Sequence, residues 1–330
     1  MGGKPVIENS AYVDISRRFF CGCFVIIKKT VDCVIIMDRI VSKELTIKQS
    51  ELLMASVIIA RSTSFVVSKM TVAAMGPFNI LAIRFILAFI ILAILFYKRM
   101  SVCSERIIRN GFFLGITYTI VMAFEMAALR YTESSLASLI ENSAFMLVPV
   151  LTLLFHHIWP KRMVVIGMIL SFSGLLTLML GQGAAFNIGC VYLIGAMCFY
   201  AFAIFQTAVY AKEGEPLLVG IIQLGTMGAV SLVASLVFES FRMPGTSTEW
   251  GMLLWLTVVS SVFGFTFQPV AQRKLDADRA GMFTALNPLA AILWGYLVLA
   301  EPVTTVKIAG AVLVLAGILF PICSKRNQEE

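Results

Sequence analysis

Long apolar runs recur along this chain, each closed by a short polar or turn-forming break. Between the breaks lie ten stretches, 52–73, 77–97, 111–130, 134–156, 163–180, 187–210, 216–238, 250–270, 281–299 and 305–323. A bilayer core about 30 Å thick needs about 20 mostly apolar residues per helix. The breaks, among them "MGPFN", "GQGAAFN" and "RMPGTSTEWG", carry the Gly, Pro, Asn and Ser that favour turns. The pattern predicts an all-α integral membrane protein of ten transmembrane helices.

Lys and Arg give those helices a direction, because cytoplasmic loops carry the excess of positive residues. With the N-terminus inside, the cytoplasmic segments are residues 1–50, "KRMSVCSERIIRN", "PKR", "AKEGE", "QRKLDADR" and the tail at 324–330. They hold 20 of the 26 Lys and Arg. Both termini are therefore expected in the cytoplasm, with the chain in the cytoplasmic membrane. In the N-terminal segment, "RRFFCGCFVIIKK" (17–29) is too short to span and can lie in the interface. A start of translation at Met37 would leave only a short polar lead.

The chain also repeats itself. "IGMILSFSGLLTL" begins at Ile166 and "AGAVLVLAGILFP" at Ala309, so Gly167 and Gly174 lie 143 positions before Gly310 and Gly317. The same offset takes Glu125 to Gln268, Arg130 to Arg273 and Ala137 to Ala280. Earlier in each half an offset of 139 takes Pro77 and Arg84 to Pro216 and Gln223. Two five-helix units follow, 51–180 and 181–323. Five is odd, so the second unit sits upside down relative to the first. Inverted-topology repeats typify secondary transporters, whose solute path lies at the repeat interface near mid-membrane.

Ionisable residues inside such spans are costly, about 2.5–3.5 kcal/mol at the helix centre on insertion scales, and each needs a reason. Four stand out: Arg61, Arg84, Glu125 and Glu141. Glu125 and Glu141 flank Glu133 by eight residues on either side. At about 1.5 Å per residue, both lie about 12 Å below the outer surface, level with Arg84. Arg61 is deeper. An Arg84–Glu125 pair can hold helices together, with Gln223 and Gln268 as its neutral counterpart in the second half. Glu141 has Thr284 as its counterpart. With Asn142, Glu141 is expected either to face the central path, binding a solute amine or carrying a proton, or to form a second ion pair with Arg61. Arg61 can equally attract an anionic solute.

Phe199, Phe202 and Gln206 recur at spacings of three and four on the sixth span, an aromatic stripe with one amide that suits a cavity for amphipathic solutes. Pro149 and Pro288 interrupt the fourth and ninth spans, and kinks there free carbonyls toward a cavity near Asn287. Gly167, Ser171 and Gly174 allow close helix packing.

Composition agrees with a membrane solvent: 59% of the 330 residues are hydrophobic and 14% charged, against about 25% charged in ordinary globular domains. The formal charge of +7 is explained by the loop bias and calls for no nucleic acid. Seven scattered cysteines lack a disulfide framework, and the C-x-C at Cys21 and Cys23 has no second pair to complete a metal site. The spans hold no Asp, and the two histidines are adjacent at a helix end, so neither a membrane enzyme nor a cofactor is expected. There is no phosphate-binding glycine loop and no signal for a particular oligomeric state.

The first half contains "SFVVSK" (64–69), "RFILA" (84–88), "ALRYTESSLASLI" (128–140) and Val148-Pro149. The second contains "GEPLLVGIIQL", "QPVAQRKLDADRAGMFTALNP" and "GYLVLAEPVTTVKIAGAVLVLAGI". In this order they resemble the EamA-type members of the drug/metabolite transporter superfamily over about residues 52–323. The resemblance implies ten helices, alternating access and movement of a small organic solute, most often outward. Ala60-Arg61 stands where that family usually has Trp-Gly, and Ile158 stands opposite Glu301. An uptake carrier and a non-transporting sensor derived from the same fold are the alternatives.

Overall fold

The computed structural model describes residues 46–101, 103–157, 159–180, 188–213, 215–265, 267, 268, 271, 283 and 286–329. The expected N-terminal segment, the Cys21–Cys23 pair and Thr284 lie outside the described residues. Helices dominate: α1 (Ile47–Val72), α2 (Pro77–Leu95), α3 (Glu105–Leu129), α4 (Ser134–Asn142), α5 (Val148–His156), α6 (Arg162–Leu180), α7 (Ile188–Glu213), α8 (Pro216–Phe238), α9 (Ser247–Trp255), α10 (Leu286–Leu299) and α11 (Thr305–Glu329). Among the described residues seven segments are long and apolar enough to cross a membrane, and shorter apolar helices occupy Arg162–Leu178, Leu286–Leu299 and Thr305–Phe320.

Several helices outrun their apolar runs. Thr46 opens α1 with a capping box: its hydroxyl accepts from the Gln49 amide while the Gln49 side chain accepts from the Thr46 amide. At the other end of the chain α11 continues through "SKRNQE" to Glu329, past the expected end at 323. Straight-chain Lys, Arg, Gln and Glu extend a helix readily, which explains the extra turn.

Two spans depart from regular α-helix, the fourth near the interruption expected at Pro149 and the eighth where the sequence predicts none. The fourth splits into α4 and α5 around a 3-10 turn at Ser143–Met146. Pro149 has no amide hydrogen to continue the ladder, and Asn142 and Ser143 donate back to the carbonyls of Ser138 and Leu139. The eighth span runs from α9 directly into a π-helix at Leu256–Phe265. Such widened turns are rare and concentrate at functional sites.

The helices pair by corresponding place in the two halves. α2 packs along α8, and α6 packs along α11. α3 packs on α7, as the π-helix packs on α1 in the other half; α4 meets α10 between the halves. Glycines set the closest approaches. A side chain at Gly174 would collide with the Val314 amide and the Gly310 carbonyl, and one at Gly317 would meet Gly167 and Ser171. The two echoing stretches thus pack on each other, as their small residues predict.

Candidate functional site

At the centre, α1, α2, α3, α4, α7, the π-helix and α10 enclose a small polar cavity of about 20 Å³. Its lining includes all four in-span charges that the sequence singles out, Arg61, Arg84, Glu125 and Glu141, together with Asn287. The sequence places Arg84, Glu125 and Glu141 at one depth and Arg61 deeper, on four helices, and the fold brings them to one chamber.

Arg61 is positioned from several sides. Gly264, with no side chain, leaves room for the aliphatic stem of Arg61. The guanidinium donates to the Gln268 amide oxygen and lies 4.6 Å from the ring centre of Phe265. The Tyr200 hydroxyl is also within its reach. Arg84 donates from Nε to Ser261 Oγ at 2.8 Å and lies 4.9 Å from the Phe85 ring centre. Both arginines are thus held by neutral partners.

The carboxyl groups of Glu125 and Glu141 face each other within hydrogen-bonding range. Among the described residues, neither Glu125 nor Glu141 forms an ion pair within 4.0 Å of a cation. The expected Arg84–Glu125 and Arg61–Glu141 contacts are therefore arranged as neighbours across the chamber. Gln268 serves Arg61, while Gln223 is buried on α8 beside Met227 Sδ at 3.9 Å, so these two amides do not meet. Asn142 joins α4 to α10, accepting from Asn287 Nδ2 at 3.2 Å.

The aromatic stripe of α7 points elsewhere. Phe199 is 38% exposed and stacks on Phe124, and Phe202 lies beside Phe155, itself 57% exposed. These rings cover the outer surface of the bundle, because the residue one position on, Tyr200, takes the inward face. Gln206 Oε1 is enclosed and has no hydrogen-bond partner. The chamber wall instead includes Tyr200 and Phe265, and Tyr118 packs about 6 Å from both rings. The available signal was chemical: a phenol inside an apolar span needs a polar neighbour.

One end of the bundle is sealed by two polar networks. Glu301, 5% exposed in the α10–α11 loop, accepts from the amides and hydroxyls of Ser134 and Ser135 at 2.6–3.2 Å and from Lys69 at 3.0 Å. It caps the start of α4, where helix amides and dipole favour an anion. Burial alone pushes its carboxyl up. The Lys69 ammonium and the Ser135 and Ser134 hydrogen bonds outweigh that and bring it down to about 2. Lys307 adds an ion pair to Glu133. In the second network Glu239 accepts from the amides of Phe78 and Asn79 at the start of α2, with Gly76 leaving it room. Arg242 bridges Glu249 and the Ala74 carbonyl. Both networks tie the first half of the chain to the second.

A helical membrane bundle with a charged chamber between two corresponding halves defines the class of polytopic carrier-like proteins. Residues 49–180 and 187–322 each match the EamA-like transporter family, and the chain belongs to it. An uncharacterized transporter of Archaeoglobus fulgidus is 23% identical over 291 residues, 85% of this chain and 99% of that relative. The uncharacterized transporter YetK of Bacillus subtilis (strain 168) is 23% identical over 286 residues, 81% of this chain and 84% of that relative. A crystal structure at 16% identity superposes with a TM-score of 0.62, covering 84% of this chain and 98% of the other, a likeness of fold.

Proposed function

We propose that this chain is a secondary transporter that exports a small organic metabolite, amino-acid-like or amphipathic, across the cytoplasmic membrane by alternating access. The observation that carries this reading is the central chamber, where Arg61, Arg84, Glu125 and Glu141 converge between the two halves. Structure alone has little use for four costly charges that make no direct ion pair with one another, whereas a solute path does. The repeats run over 51–180 and 181–323, with both termini cytoplasmic; the sealed end then faces outward. Glu141 and Asn142 line the path with Arg61 and Asn287, and Glu141 is also the group that would couple movement to protons. One half rocks against the other around this fixed site.

The test is untargeted mass spectrometry of the medium around cells making this protein, its Glu141→Gln variant, or neither. A metabolite released only by the intact protein supports export through Glu141. Equal release by both proteins keeps export and removes Glu141 from the path. No difference from empty cells overturns export in favour of uptake or sensing.

A further inference from the structure

Three oxygens on residues of the central chamber have no hydrogen-bond partner: Glu141 Oε2, Asn287 Oδ1 and Ser260 Oγ. Their residues are 4%, 8% and 1% exposed, so all three lie away from bulk solvent. A buried acceptor left unmade costs about 1–3 kcal/mol. Other buried polar side chains are fully served: Asn79 uses both amide hydrogens and its oxygen, and Glu301 accepts from five donors. The partnerless atoms Ser50 Oγ, Ser68 Oγ, Gln206 Oε1 and Ser231 Oγ are scattered, whereas three gather on the lining of this one chamber. Two of the three, the carboxylate and the amide oxygen, are acceptors that call for a donor, and the Ser260 hydroxyl can accept as well.

Resting on the transport reading above, we propose that the chamber recognises its solute through a primary ammonium group, which gives one N–H to each of Glu141, Asn287 and Ser260. An ammonium carries three donors and no acceptor, matching three orphan acceptors of which one is a carboxylate. A carboxylate or phosphate solute brings acceptors only and leaves the Glu141 and Asn287 oxygens unserved. A quaternary ammonium has the charge without the N–H groups. The arginines leave this role open, since Arg61 and Arg84 are already held by Gln268 and Ser261. The carbon skeleton would lie along Phe65 and Met122, the apolar part of the lining. The resting chamber, at about 20 Å³, has space for a single water-sized group, so the ammonium enters as the two halves part.

The full-length protein in lipid nanodiscs is titrated calorimetrically with butylammonium, butyltrimethylammonium, butanol and norvaline. Saturable binding of butylammonium or norvaline, with the trimethyl compound at least about tenfold weaker, supports the proposal. Norvaline alone would assign the ammonium to a zwitterion; butylammonium alone would assign it to a simple amine. Ser260→Ala is the decisive variant. Its hydroxyl bonds nothing at rest, so the variant should unfold at or above the wild-type temperature yet bind several-fold more weakly. Equal binding of the trimethyl compound, unchanged binding by Ser260→Ala, or binding by none of the amines overturns the proposal. Solute release in the cell assay would then still stand by itself, whereas loss of release would overturn the transport reading.

Discussion

Ser171 Oγ donates to the backbone carbonyl of Val314 at 3.1 Å, and the two residues stand 143 positions apart. That separation is the repeat offset itself. Corresponding points of the two halves therefore touch where α6 crosses α11. At this crossing Gly317 lies against Gly167 and Ser171, leaving no space for even a methyl group.

Replacing Gly317 with Leu should force the two helices apart and cost about 1–3 kcal/mol or more, as overpacking does. Ser171→Ala removes one hydrogen bond, worth about 0.6 kcal/mol between membrane helices. Thermal unfolding in detergent should show a large drop for the first variant and a small one for the second. Equal drops would mean that the crossing is held by the bond and not by the fit.

Glu301→Gln should loosen the sealed end, because Lys69 loses its counter-charge and α4 loses an anionic cap. In a cysteine-free background, an impermeant maleimide should label Ser64→Cys in the chamber several-fold faster in this variant. The pH dependence has a definite sign. A carboxyl held at about 2 contributes stability that is full above its ordinary range and is lost only as pH falls through about 2. With Glu301 intact, labelling should therefore stay flat from about pH 8 to about pH 5 once corrected for maleimide reactivity.

Gly264→Ala should act on Arg61 at a distance from the guanidinium. The new methyl group would meet the Arg61 stem and displace its head from Gln268 and Phe265. A folded protein with a raised KM for export is the expected outcome. If KM and rate both stay at wild-type values, Arg61 has no part in solute handling.

Neighbours on α7 should behave oppositely. Phe199→Ala and Phe202→Ala remove surface rings and should change transport by less than about twofold, in line with surface substitutions. Tyr200→Phe removes only a hydroxyl beside Arg61 and should lower transport by about tenfold. Export rates of the three variants at matched expression check this.

Long-period features were legible in the sequence because each has one physical cause. Apolar runs follow bilayer thickness, and the echo of Gly167 and Gly174 in Gly310 and Gly317 marks helices that must approach closely. Arg61, Arg84, Glu125 and Glu141 were legible as expensive residues, and they do share a chamber. What escaped was angular detail. One position on α7 separates Phe199 at the surface from Tyr200 inside, about 100° of helix that composition cannot resolve. The partners of Gln268 and Gln223 escaped for a related reason: the π-helix before Gln268 shifts its facing, so residues at matching offsets need not meet. The break after Asn142 was only half visible, since Pro149 announced a kink but not the 3-10 turn before it.

The Glu301 seal has a consequence for the working cycle. At the corresponding place in the first half stands Ile158, whose side chain has no charge to offer. On the transport reading, the two ends of the carrier are therefore expected to differ, since the sequence repeats no carboxylate where Glu301 has its counterpart. The end held by Glu301 is then expected to open more slowly, so that Glu301→Gln should quicken the cycle. Speed is then tuned at Lys69, Ser134 and Ser135, near the rim, while choice of cargo is left to the chamber.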